Sequence, residues 1–292
     1  MKVLGLLLLA APLAAAPLFE VASRVRQGEA IRIRIGNVER GDGWVAQRGD
    51  KKFRLFKQED GHLLGFVPVA AIDPPGSQEI KIFEGDSLRH TVAVEVLDAK
   101  YLIRNLRVRT STTGIQPSPG EIERTNELLA TVSEERLWRE PFAAPTPHCI
   151  NSPYGVQTHV NGKPTGGYHR GTDLLSPTGT PVKATADGVV KIAQKWNMQG
   201  GMIGIDHGQG VVSTYLHLSK LAAEEGQAVK QGDIVGYVGA TGFVTGPHLH
   251  FGIGVNGTFI SAASWVPALK ACSIAPGRRA APARKKAAPR KR

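Results

Sequence analysis

Gly246-Pro-His-Leu-His-Phe251 constrains this chain more tightly than any other stretch. Its two histidines stand one residue apart in β-forming sequence. On a strand they project from one face, while Leu249 points the other way. Two imidazoles side by side on an exposed face make a poor core and a good metal site. The chain must therefore supply a sheet that buries Leu249 and leaves His248 and His250 open. It must also supply further ligands from elsewhere.

Candidates lie upstream. His169 and Asp173 stand four residues apart in Tyr-His-Arg-Gly-Thr-Asp-Leu, and Gly171 between them favours a turn running into a strand over a helical ligand pair. His217 follows in Ser-Thr-Tyr-Leu-His-Leu-Ser, where strand alternation predicts one shared face for Ser213, Tyr215 and His217. Seven of the nine histidines fall between 148 and 250, which concentrates the chemistry in the second half.

The surrounding sequence is β-forming. The 34 glycines and 19 prolines suit a turn-rich chain, and short Val/Ile runs predict strands over 188–193, 202–206, 211–216, 234–238 and 248–255. Gly252-Ile253-Gly254 has no strand-to-helix context and is not a dinucleotide fingerprint. In residues 17–98, Ile31, Ile33 and Ile35 alternate with arginines, and Val92, Val94 and Val96 alternate likewise. Several such strands between turn residues predict a small Ig-like β-sandwich as an accessory domain. It carries no catalytic grouping, and its isolated His62 and His90 read as surface or packed side chains. Its expected role is positional.

Residues 99–147 read as a connector. Ser118-Pro-Gly-Glu121 has capping-box spacing and predicts a helix running to about Trp138. The charges Glu121, Glu123, Arg124, Glu134, Glu135 and Arg136 are expected to form a solvated face. Pro141 to Pro147 predicts an extended linker.

Residues 1–16 have the charged start, apolar run and small-residue end of a secretory signal, and no later stretch is long enough to span a membrane. A soluble, exported protein of the periplasm or cell envelope is expected. The net charge of +11 suggests nucleic acid until it is located. Eight Lys/Arg and no acid fall between 278 and 292, and without them the body carries +3. Specific nucleic-acid binding is therefore not expected. Residues 270–292 predict a basic disordered tail able to contact anionic envelope polymers. Cys149 and Cys272 could pair in an oxidising compartment or remain two separate thiols; the sequence leaves both open.

His169-x-x-x-Asp173, Tyr215-Leu-His217-Leu-Ser219 and Thr245-Gly-Pro-His248-Leu-His250-Phe251 together resemble the signature motifs of the lysostaphin/LytM-type zinc peptidoglycan endopeptidases. Ser152-Pro-Tyr-Gly155, Ser176-Pro-Thr-Gly-Thr-Pro181, Ile205-Asp-His-Gly208 and Lys230-Gln-Gly-Asp-Ile-Val-Gly236 extend the similarity over 150–267. The resemblance implies a mainly β fold with an antiparallel LytM-type peptidase domain over 148–269. It implies one Zn2+ per chain held by His169, Asp173 and His250, with His217 and His248 as the catalytic pair and peptidoglycan as the partner. His207 falls where the family has a structural Asp-His-Gly turn. Tyr154, Tyr168 and Tyr215 could line the cleft or pack in the core, and Asn151 is a candidate for contact with the metal cleft. Where many relatives carry Glu, this chain has Gly252, a departure that bears on substrate preference. The alternative is a catalytically inactive wall-binding relative or an activator of another hydrolase. Such relatives lose ligands, and none is missing here.

Overall fold

A computed structural model describes residues 16–106 and 116–273; the apolar residues 1–15 and the basic run from 274 lie outside them, as do 107–115. The first unit is built of β1 (Leu18–Val21), β2 (Arg24–Arg26), β3 (Ala30–Gly36), β4 (Trp44–Arg48), β5 (Lys51–Arg54), β6 (Phe56–Lys57), β7 (Leu63–Pro68), β8 (Gly76–Glu84) and β9 (Ser87–Leu97). They form two sheets, ordered β1-β3-β7-β6 and β2-β9-β8-β4-β5. Alternation fixes their inner faces: Ile31, Ile33 and Ile35 of one sheet bury against Trp44, Ile80, Ile82, Val94 and Val96 of the other. Pairing is antiparallel except between β2 and β9, which run parallel.

The connector differs from its expected form. It contributes a strand, β10 (Ile103–Leu106), which pairs in parallel with β12 (Gln157–Val160). Its helix α1 (Glu121–Ala130) stops well before Trp138, because Thr131-Val-Ser follows and Thr131 is already extended. The charges form a solvated face only in part: Glu123, Glu134 and Glu135 are exposed, while the others turn inwards or along the surface. Glu121 is buried, and Arg124 reaches Glu225 at 3.1 Å and the Lys191 carbonyl at 3.0 Å. Glu134 pairs with Arg54, and the Arg136 guanidinium lies 3.9 Å from the Trp138 ring centroid. Nor is the proline-rich stretch a free linker. Trp138 and Phe142 are fully buried, and Ala143 and Pro145 hydrogen-bond to Thr185 and Lys183. A segment carrying two large aromatics is driven onto the core that can cover them.

The second unit consists of β11 (Ile150–Ser152), β12, β13 (Lys163–Tyr168), β14 (Thr172–Leu174), β15 (Pro181–Lys183), β16 (Gly188–Trp196), β17 (Gly200–Gly208), β18 (Val211–Leu221), β19 (Ala228–Val229), β20 (Ile234–Val238), β21 (Leu249–Val255) and β22 (Thr258–Ile260). Its main sheet runs β11-β14-β21-β18-β17-β16-β19, with neighbouring strands antiparallel. β17 is buried along its whole length because both faces are covered. One face meets a core of Ile203, Ile205, Tyr215, Leu249, Phe251 and Ile253, joined by Leu64 and Phe66 of the first unit. On the other, Leu128 and Leu129 of α1 pack on Ile192, Met202 and Val212. Glycine makes this contact possible: a Cβ on Gly204 or Gly254 would lie 2.5 Å from Leu128 Cδ2 or Leu129 Cδ2. Burying the two leucines contributes roughly 2 kcal/mol each.

Cys149 and Cys272 form a disulfide that joins the start of this unit to its end. Backbone bonds reinforce the junction, from Ile150 to Lys270 and from Cys272 to Ile150.

Candidate metal centre

Sheet register brings the dispersed motifs together. Asp173 on β14 is the cross-strand partner of His250 on β21, and His250 is in turn opposite Leu216 on β18. His169 sits in the turn before β14, fixed by bonds from its own N–H to the Val156 carbonyl and from the Gly155 N–H to its carbonyl. Its Nε2 lies 3.0 Å from Asp173 Oδ1 and 3.1 Å from His250 Nδ1, and the third side of the triangle is 3.0 Å. Among the described residues these three form the one His/Cys/Asp/Glu cluster whose ligand atoms all converge. Gly171 permits the approach, since a Cβ there would meet His250 Nε2 at 2.4 Å.

The protonation of these rings follows from their partners. His169 Nδ1 lies 2.8 Å from the Pro153 carbonyl, which can only accept, so the proton sits on Nδ1. Nε2 is then a lone pair aimed at a carboxylate oxygen. Two acceptors 3.0 Å apart repel unless a cation or proton lies between them. Burial alone would raise the Asp173 carboxyl, but the His169 and His250 imidazoles set against it outweigh burial and favour the ionised carboxylate, well below the ordinary carboxylate range. Burial lowers His250, keeping it neutral and able to ligate. A tetrahedral ion with bonds of about 2.0–2.1 Å spaces its ligands about 3.3 Å apart, close to the observed triangle. Two imidazole nitrogens and one carboxylate fit a borderline divalent cation and leave a fourth position open.

His217 and His248 stand beside the triangle, outside it. His248 Nδ1 is 2.9 Å from the Gly246 carbonyl, so Nε2 faces the centre, 3.7 Å from Asp173 Oδ1. His217 Nδ1 is 3.0 Å from the Thr241 carbonyl, which again leaves Nε2 free. The two rings lie 5.0 Å apart, and His217 lies 6.0 Å from His250. Burial, then the neighbouring His250 and His248, push His217 down to about 4, so it is neutral at pH 7.

His217 does not share a face with Ser213 and Tyr215 as plain alternation predicts. β18 pairs with β21 through Leu216 and with β20 from Leu218, and His217 occupies the switch with φ +67°. Ser213 and Tyr215 stay in the core, while the left-handed residue turns its ring towards the centre. That conformation costs about 1 kcal/mol and persists where surroundings over-determine it. Here the Gln199 carbonyl accepts the His217 N–H at 2.9 Å. The sequence carries no signal for this bulge, nor for the carbonyls of Pro153, Thr241 and Gly246 that orient three rings.

Of the remaining candidates, His207, Tyr154 and Tyr215 are core residues. His207 is fully buried, its Nδ1 2.7 Å from the Asp187 carbonyl and its Nε2 2.8 Å from Ser213 Oγ. Tyr215 and Tyr154 are core residues; the Tyr154 hydroxyl donates to the Phe259 carbonyl at 2.7 Å. Tyr168 is half-buried with its ring edge-on to Tyr154, and Asn151 is exposed on β11. Gly252 is closely packed: a Cβ there would lie 2.6 Å from Thr214 Oγ1.

Residues 167–262 match the model of Peptidase family M23. The catalytic domain of lysostaphin from Staphylococcus simulans is 35% identical, the match covering 40% of this chain and 90% of that one, with a TM-score of 0.36. The chain belongs to peptidase family M23. All five motif residues fall inside the M23 match, whereas α1 and the first unit lie outside it. The peptidoglycan DD-endopeptidase ShyC of Vibrio cholerae is 45% identical over 89 residues, 30% of this chain and 21% of that protein. The chain thus spans about a quarter or less of the length of such curated relatives. A putative M23 peptidase from Pseudomonas aeruginosa shares the fold over 84% of this chain and 95% of its own, with a TM-score of 0.62 at 23% identity. Among the described residues, no helix is long and apolar enough to cross a membrane.

Proposed function

We propose that the chain is a zinc-dependent endopeptidase that hydrolyses peptide cross-links or stems of bacterial peptidoglycan. The observation that carries this reading is the convergence of His169 Nε2, Asp173 Oδ1 and His250 Nδ1 on one point, beside two further imidazoles with free Nε2 atoms. His169, Asp173 and His250 hold one Zn2+. When bound, it supplies Lewis acidity towards a peptide carbonyl and makes water acidic enough to be deprotonated near pH 7.

The chain's own groups do the rest. His217, neutral and with its Nδ1 proton committed to Thr241, offers Nε2 as the proton acceptor for the attacking water. His248 shares the cleft and serves the developing oxyanion or the leaving amine. Both rings are held by backbone carbonyls, so their orientation is set before substrate arrives. The first unit, as an Ig-like sandwich, and the connector position the hydrolytic unit over 148–269. Our preference is a D-Ala–diaminopimelate cross-link in a periplasm over a glycine bridge; relatives named peptidoglycan DD-endopeptidases support it, while one named glycyl-glycine endopeptidase points the other way.

Purified protein incubated with sacculi tests the reading. Fragment release should stop with a chelator, return with zinc, and be lost in His250→Ala. Release that survives both treatments overturns it, and mass spectrometry of the fragments identifies the bond.

A further inference from the structure

We propose that Glu121, on the helix outside the M23 match, is a positioning residue for His217. The inference rests on the hydrolytic reading above and extends the working site beyond residues 167–262. Glu121 opens α1 and is 1% exposed, an unusual placement for a carboxylate. Its oxygens accept the backbone N–H groups of Ser118 at 2.7 Å, Met198 at 3.1 Å and Gln199 at 2.7 Å. Ser118 Oγ accepts the N–H of Asn197 at 2.9 Å, and the Gln199 side chain donates to Thr125 Oγ1 at 3.1 Å. The start of α1 therefore grips three consecutive residues of the turn between β16 and β17.

The same turn holds His217 from its other side. The Gln199 carbonyl accepts the His217 backbone N–H, the bond that keeps this residue in its left-handed conformation. Gly201, beside the turn, donates its N–H to Thr241 Oγ1 at 3.0 Å, and the Thr241 carbonyl orients the His217 ring. The Met198 carbonyl accepts the N–H of Phe243 and so anchors the loop that carries Thr241. Both the backbone and the ring of His217 thus end on residues secured by α1. A turn without such anchors moves, and misplacing a reacting group by 1 Å lowers rate by up to about 10²-fold. The three ligand candidates are carried by β14, β21 and the turn before β14, so loosening residues 197–199 disturbs His217 and leaves the metal triangle in place.

Glu121→Gln replaces one oxygen by an amide that cannot accept a backbone N–H. In the zinc-loaded full chain, acting on a soluble cross-linked muropeptide, kcat should fall about 10-fold or more, with KM within about twofold and zinc still one per chain. In histidine-15N-labelled protein the His217 ring signals should shift or broaden while those of His169 and His250 hold. Ser118→Ala, a milder cut at the same turn, should lower kcat severalfold. Unchanged kcat and unmoved His217 signals overturn the proposal, and so does loss of zinc in step with activity, which marks general structural damage. If Glu121→Gln does not fold, Ser118→Ala decides on the same two readouts. An inert parent protein would count against the hydrolytic reading, and the His217 signals would still test the positioning.

Discussion

His207 gives a quantitative test of the sheet that carries His217. The β17 ring is fully buried, donating from Nδ1 to the Asp187 carbonyl, with Nε2 2.8 Å from Ser213 Oγ on β18. Burial lowers its pKa to about 4 from 6.5, against weaker opposing effects of the Asp187 carbonyl, Asp206 and Asp187. The unfolded chain therefore binds a proton that the folded chain refuses across this interval. Stability contributed by the neutral ring is complete above pH 6.5 and is lost as pH falls towards 4. Each pH unit in the window is worth about 1.4 kcal/mol, and the 2.5-unit span gives about 3 kcal/mol. Other groups titrate over the same range, so the measurement is a double difference. Urea unfolding of the parent and of His207→Asn, which keeps one donor and one acceptor but no titrating group, is compared at pH 7 and pH 4. The parent's advantage over the variant should shrink by about 3 kcal/mol between the two. If the two stability curves run parallel, His207 is not held neutral by burial and the reasoning fails.

Reducing the Cys149–Cys272 bridge, which spans 123 residues, should lower unfolding free energy by about 5 kcal/mol on the chain-entropy account, and an unchanged melting curve would contradict this. Asp173→Asn should abolish stoichiometric zinc binding in equilibrium dialysis while the fold persists by circular dichroism, because the triangle loses its only anionic ligand. Gly204→Ala should destabilise by about 1–3 kcal/mol in thermal melts, as its Cβ meets Leu128 at 2.5 Å; a neutral result would mean that α1 shifts freely. Deleting residues 276–292 should weaken association with anionic vesicles at low salt far more than at high salt, since the run carries eight positive charges; equal binding would dismiss an electrostatic role.

Much of this molecule is legible in the chain because side-chain type and spacing carry it. The Ile31, Ile33 and Ile35 row is a buried strand face, and His169, Asp173 and His250, which the resemblance of the combined motifs picks out, converge in space. What sequence does not carry is information held by backbone geometry. Alternation places His217 with Ser213 and Tyr215, yet one left-handed residue at a change of strand partner reverses its direction. Charge pattern reads 121–136 as a solvated surface, because nothing local tells Glu121 that backbone N–H groups of Met198 and Gln199 will arrive to satisfy it. The proline-rich stretch reads as a linker for the same reason: the core that receives Phe142 is assembled from distant strands.

The pair at His248 and His250 shows how far one strand face can be divided. Both histidines look into the same cleft from positions two residues apart, and side-chain identity gives no ground for separating them. Backbone contacts do. The Gly246 carbonyl takes the Nδ1 proton of His248, leaving Nε2 to face the cluster from 3.7 Å away from Asp173, outside the triangle. His250 lies opposite Asp173 in register, and its Nδ1 sits 3.0 Å from the carboxylate oxygen. One ring presents the nitrogen nearer the backbone to the cluster, and the other presents the farther nitrogen to the space in front of it. Interchanging the two roles would require His248 to surrender its carbonyl bond and His250 to leave its register. The Pro-His-Leu-His run therefore sets one ring in the triangle and the other beside it at a fixed spacing. His217 completes that arrangement only because a helix outside the family match holds the turn behind it.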